Sequence, residues 1–212
     1  MSLYAIGDLH LHFQSELKAP GQLHGKVWQD HERKFKENCE ALMTNDDTLV
    51  LAWDAKKTER LNEQFAGKLQ FLQNNYYSYG DYALVGTKGY TFEGPFYLDR
   101  YGNVCGWDEQ EAEHAEKLVG REIERLRVSF EKAKADGYRK FIMFLHYPPT
   151  NVLQDNSAFT KMAEKYGAEQ VIYGHCHGES RFHDSIRGKK RGIRYGLVSG
   201  DCLRWHPMKV LE

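Results

Sequence analysis

The chain has 212 residues, enough to bury a sizeable core in a single domain spanning 1–212. Its net charge of −1 gives no global basic field to hold nucleic acid or an anionic membrane, so neither is expected as a partner and any anionic ligand would have to be held by a local site. Residues 1–10 lack the basic and apolar regions of a secretory signal, the longest apolar runs are too short to span a bilayer, and the four cysteines (Cys39, Cys105, Cys176, Cys202) form no CxxC pair, so the expectation is a reduced, cytoplasmic protein without a disulfide framework.

In chain order, Leu3 to Gly7 reads as a buried strand that delivers Asp8 into a loop. Residues 13–27 are polar and broken by Pro20-Gly21. Trp28 to Met43 places Trp28, His31, Phe35, Cys39 and Leu42 three to four apart, the spacing of an amphipathic helix. Thr48 to Trp53 is a strand followed by Asp54, and the charged stretch from Lys56 to Gly67 is expected to be helical. Phe71 to Tyr82 is polar and aromatic, and Tyr82 to Thr87 is a strand.

Glu109 to Ala135 predicts the longest helix, with Leu118, Ile123, Leu126 and Phe130 on one face and Gly137 as its stop. Lys140 to His146, Gln170 to Tyr173 and Tyr195 to Ser199 are further strands, with a helix between Ser157 and Tyr166. The run Arg187 to Arg191 reads as a solvated hairpin turn, with a subsidiary role in steering anions. Strands alternating with helices early, and clustering late, point to an α/β sandwich.

Four strand-like segments end in possible metal ligands: Asp8-Leu9-His10, Asp54, His146, and His175-Cys176-His177. A single Asp or His after a strand is ordinarily a turn residue, but the recurrence brings donors from several strands to one sheet edge, where α/β proteins place their sites. In extended chain, residues two apart point the same way, so Asp8 with His10 and His175 with His177 can each face one site. Mixed carboxylate and imidazole donors suit Mn, Fe or Zn better than Mg. Two such ions need an anionic bridge, for which Asp54 is the candidate, and together they would make hydroxide available for in-line attack on phosphorus. His24, His31, His114, His183 and His206 lack this context and read as surface or helix residues.

Gly7-Asp8-Leu9-His10, the later strand ending in Asp54, Leu145-His146-Tyr147-Pro148-Pro149 and Gly174-His175-Cys176-His177-Gly178 together resemble the motif series of calcineurin-like metallophosphoesterases, notably a group of small bacterial phosphohydrolases. The resemblance extends to Ser199 and covers most of the chain. It implies two packed β-sheets flanked by helices, a four-layer sandwich like that of the metallo-dependent phosphatases. It further implies that Asp8, His10 and His177 hold one divalent ion, that His146 and His175 hold another, and that Asp54 bridges them.

Two departures stand out. Trp53 occupies the position before Asp54 where the family has glycine, and the family's Gly-Asn-His-Asp or Gly-Asn-His-Glu motif is absent. The simplest account is an internal deletion that removed one helix and one strand. The expected function is a metal-dependent phosphoester hydrolase acting on a mono- or diester. The alternative is a catalytically impaired relative that serves as a metal-binding or scaffold protein. A minor alternative comes from Asp8-Leu9-His10-Leu11-His12, which also resembles the opening of PHP-type phosphoesterases.

Overall fold

The computed structural model describes residues 1–10, 26–52, 72–90, 97–98, 104–105 and 109–212. Within them the alternating strand and helix signals resolve into an α/β arrangement with two mixed sheets flanked by helices. The smaller sheet is built on β1 (Leu3–Gly7), which pairs in parallel with β2 (Thr48–Ala52) and antiparallel with β11 (Met208–Leu211), in the order β11-β1-β2.

The larger sheet contains β3 (Tyr76–Tyr79), β4 (Tyr82–Thr87), β7 (Lys140–Leu145), β8 (Ala168–Tyr173), β9 (Gly188–Lys190) and β10 (Ile193–Leu197), in the order β3-β4-β7-β8-β10-β9. Its four inner strands, β4, β7, β8 and β10, are parallel, and an antiparallel strand closes each edge. A separate two-stranded ribbon joins β5 (Tyr97–Leu98) to β6 (Val104–Cys105).

Parallel strands buried on both faces must be apolar throughout, and Phe141-Ile142-Met143-Phe144-Leu145 of β7 shows the consequence. Phe141, Met143 and Leu145 face helix α2 (Glu109–Ala135) and helix α3 (Ala158–Tyr166), packing with Leu126, Phe130, Ala133, Phe159 and Ala163. Phe130 stacks flat on Tyr166, their ring centroids 4.4 Å apart. Ile142 and Phe144 point the other way and, with Leu84, Ile172 and Val198, meet Leu3, Ala5 and Val210 of the smaller sheet. One strand therefore contributes to two cores, and the sheets pack face to face.

On the outer face of the smaller sheet, Tyr4 donates from its hydroxyl to the carbonyl of Leu42 at the end of helix α1 (His31–Leu42). Helix α3 is held at its start by a reciprocal capping box between Ser157 and Thr160, a device worth about 1 kcal/mol. It ends at Gly167, whose φ of 68° is the left-handed conformation that glycine adopts without steric cost. A fourth helix, α4 (Glu179–Asp184), follows the candidate ligand loop.

Several boundaries and elements differ from the sequence expectation. The first helix starts at His31 rather than Trp28, because Asp30 sits at φ 54° and breaks the helical path. The aromatic segment before Tyr82 contains a strand, β3, which pairs with β4. The basic run at 187–191 is not simply a turn. Gly188–Lys190 forms the edge strand β9, and the turn is the two-residue loop Arg191-Gly192, both at positive φ, which suits a tight hairpin. Its lysines on an edge strand discourage pairing with another chain. The expected helix between Lys56 and Gly67 lies outside the described residues. No helix among the described residues is long and apolar enough to cross a membrane.

Candidate metal centre

The strands that carry the predicted ligands end at one edge. β7 and β8 run parallel, β10 runs parallel to β8, and an isolated parallel bridge joins Gly7 at the end of β1 to Ser199 beyond β10. Asp8, His146 and the loop from Gly174 to Gly178 therefore emerge side by side. β2 runs parallel to β1 with Ala52 opposite Gly7, so it also ends there. Asp54 and His12 lie outside the described residues.

Asp8, His10 and His177 form a group of three potential donors whose ligand atoms all lie within 4.8 Å of one another. His10 Nε2 and His177 Nε2 stand 3.4 Å apart. That is long for a hydrogen bond, but with metal–nitrogen bonds of about 2.1 Å two ligands at a tetrahedral angle stand about 3.4 Å apart. His146 Nε2 and His175 Nδ1, 3.2 Å apart, form a second pair of similar span. Asp8 lies between the pairs, with Oδ1 3.4 Å from His146 Nδ1 and Oδ2 accepting a hydrogen bond from the His175 backbone N–H.

The convergence is not achieved by extended chain. Asp8, His10 and His175 all have positive φ (56°, 43° and 69°), a left-handed backbone uncommon for residues with a side chain. Strained backbone at positions that also carry donors is typical of a binding site held in shape by its surroundings. The two-apart rule assumes extended chain; here the loops turn more sharply, and His177 faces His10 while its neighbour two positions back, His175, faces His146.

Outer residues hold the donors. Asp8 is buried, and its Oδ2 also accepts from Ser199 Oγ at 3.1 Å. His177 Nδ1 faces Asp201 Oδ1 at 2.9 Å, and the backbone N–H groups of Gly178 and Cys202 donate to the same carboxylate. On the open side, the Trp28 ring lies edge-on to His10, His177 and His31, with centroids 5.7, 5.3 and 5.5 Å away. Tyr147 packs on His175 on the other side, 4.2 Å between centroids.

The local charges split the two facing imidazoles. Burial would lower His177, but the hydrogen bond and charge of Asp201, with help from Asp8, outweigh it and raise the group above its ordinary 6.5. His10 is lowered by its own burial and by the facing His177, against a partial pull from Asp8. Both rings must be neutral to bind an ion, so a metal would displace a proton held chiefly on His177.

Sequence reasoning missed Asp201, Ser199, Trp28 and His31 as parts of the site. Asp201 had a readable signal, because Gly200-Asp201 follows a strand just as Gly7-Asp8 does. Trp28 and His31 matched the stripe of an amphipathic helix, and His31 was read as a surface or helix residue. His31 is instead buried with Nε2 3.0 Å from the Leu9 carbonyl, where it supports the loop between two candidate ligands.

Compared with family models, curated proteins and solved structures, the chain matches none.

Proposed function

We propose that this protein is a metal-dependent phosphoester hydrolase acting on a phosphate mono- or diester. In this reading Asp8, His10 and His177 hold one divalent ion, His146 and His175 hold a second, and Asp54 bridges them, with Mn, Fe or Zn as the metals that suit the donors. The observation that carries it is the pair of nitrogen–nitrogen spans, 3.4 Å and 3.2 Å, on either side of the Asp8 carboxylate. Ions so held supply Lewis acidity toward a phosphoryl group and activate water near neutral pH. The chain's own residues fix the donor spacing and anchor Asp8. The fold reading is the four-layer sandwich of the metallo-dependent phosphatases with one helix and one strand missing. It is supported by two face-to-face mixed sheets, with α2 and α3 outside the larger and α1 against the smaller.

The chain contains no Gly-Asn-His sequence. A positioned proton donor is worth about 10²–10⁴-fold in rate, so turnover is expected to be slow by that factor relative to an enzyme that has one. The same absence favours a second reading, a metal-binding or scaffold protein without turnover. The PHP-type reading depends on His12, which lies outside the described residues.

The deciding experiment measures metal content and hydrolysis of an aryl phosphate and a bis-aryl phosphate with Mn, Fe or Zn. Stimulated turnover that disappears in Asp54→Ala and His177→Ala is expected. One bound ion or none, without turnover on either ester, would overturn the hydrolase reading and favour the metal-binding or scaffold one.

A further inference from the structure

We propose that Asp201 is a positioning residue that fixes His177 as the Nδ1–H tautomer and so presents Nε2 as the donor atom. This rests on His177 being a metal ligand, and not on the phosphoester chemistry.

An ionised carboxylate only accepts hydrogen bonds, so the 2.9 Å contact between Asp201 Oδ1 and His177 Nδ1 requires the proton to sit on Nδ1. The lone pair is then on Nε2, the atom that faces His10 Nε2. The carboxylate cannot swing away. Its side chain is 3% exposed, Oδ1 also accepts from Cys202 N at 3.0 Å, and Oδ2 accepts from Gly178 N at 3.1 Å. Three donors thus grip two oxygens, and one of the amides belongs to the residue directly after His177.

The segment carrying Asp201 is itself anchored. Gly200 donates its N–H to the Gly7 carbonyl, and the buried Trp205 ring covers Gly200 so closely that a Cβ there would overlap it. Two residues before Asp201, Ser199 donates to Asp8. One short stretch therefore braces two of the three clustered donors from behind. Carboxylates that orient ligating histidines in this manner typically contribute about 10–100-fold to metal affinity.

The first test uses the wild-type protein, metal-free and in alkaline buffer where the ring is neutral. Long-range proton–nitrogen correlation spectra should show His177 protonated on Nδ1 and bare on Nε2; a ring protonated on Nε2 overturns the proposal. The second test is Asp201→Asn, in which one oxygen must serve three donors. Chelator competition with Zn or Mn should show affinity reduced about 10–100-fold, together with a shift of the His177 tautomer toward Nε2–H. Unchanged affinity with an unchanged tautomer overturns the proposal. In a His177→Ala background the same Asp201→Asn change should have little further effect on affinity, and a loss of the original size there also overturns it. Wild-type protein that shows the expected tautomer and binds metal, yet hydrolyses no phosphoester, would defeat the hydrolase reading while supporting this one.

Discussion

Asp8 Oδ2 accepts a hydrogen bond from the backbone N–H of His175, 2.6 Å away and 167 positions along the chain. The same oxygen accepts from Ser199 Oγ, so the oxygen remaining toward the candidate ions is Oδ1. A residue read as a ligand is thus also a structural tie between β1 and the loop after β8.

Asp8→Ala should therefore lower stability even without metal. It strands a buried hydroxyl and a partly buried amide, each worth about 1–3 kcal/mol when left unsatisfied. Urea denaturation in the presence of a chelator should show the loss. If the metal-free variant were as stable as wild type, the tie would be energetically idle.

His10 separates ligand chemistry from backbone strain. It sits at φ 43°, a region that disfavours any residue with a Cβ by roughly 1–2 kcal/mol. Both His10→Ala and His10→Gly should lose metal affinity, but metal-free His10→Gly should be more stable than His10→Ala by about 1 kcal/mol. Equal stabilities by thermal or chemical denaturation would mean that the loop relaxes on substitution.

The His177 shift gives a pH dependence with a definite sign. Asp201 and Asp8 raise the group against the effect of burial, so the folded metal-free protein binds its proton more tightly than the unfolded chain does. That contribution is fully present below 6.5 and is lost as pH rises through the folded value. His10, shifted the other way, is penalised as pH falls below 6.5. NMR titration of the metal-free protein should find His177 titrating above His10. Metal affinity should climb with pH across the same window, because an ion must displace the His177 proton. A reversed order of titration would contradict the role given to Asp201.

Gly200→Ala tests the support beneath the site. The added methyl would overlap the Trp205 ring, which is 1% exposed and packs on Trp28 and His31. Overpacking of this kind destabilises by about 1–3 kcal/mol. The displaced ring should also weaken metal binding by disturbing Asp201 and Trp28. Wild-type melting and wild-type metal affinity together would show that Trp205 moves aside freely.

Which features were legible follows from how local their causes are. β7 announces itself because a strand buried on both faces gives an unbroken apolar run, here Phe141 to Leu145, and α2 because a 27-residue helix repeats its stripe many times. Ser157 and Gly167 mark the ends of α3 through capping chemistry that is confined to a few residues. By contrast, β3 is half exposed and tyrosine-rich, and β11 is a short strand whose partner is at the other end of the chain. The candidate ligands were readable from the repeated strand-then-donor pattern, and Asp8, His10 and His177 do come together. Of the supports around them only Asp201 repeats that pattern; Ser199 and Trp28 acquire their roles through contacts made at long range.

The backbone bridge at Gly7 has a mechanical consequence. Gly7 donates to the Val198 carbonyl, Val198 donates to the Tyr173 carbonyl, and Gly200 returns a bond to Gly7, so the two sheets are stitched together at the end where the donors emerge. The loops that carry Asp8 and His175 leave from that seam, so the spacing of their donors is set by main-chain hydrogen bonds and not by side-chain packing alone.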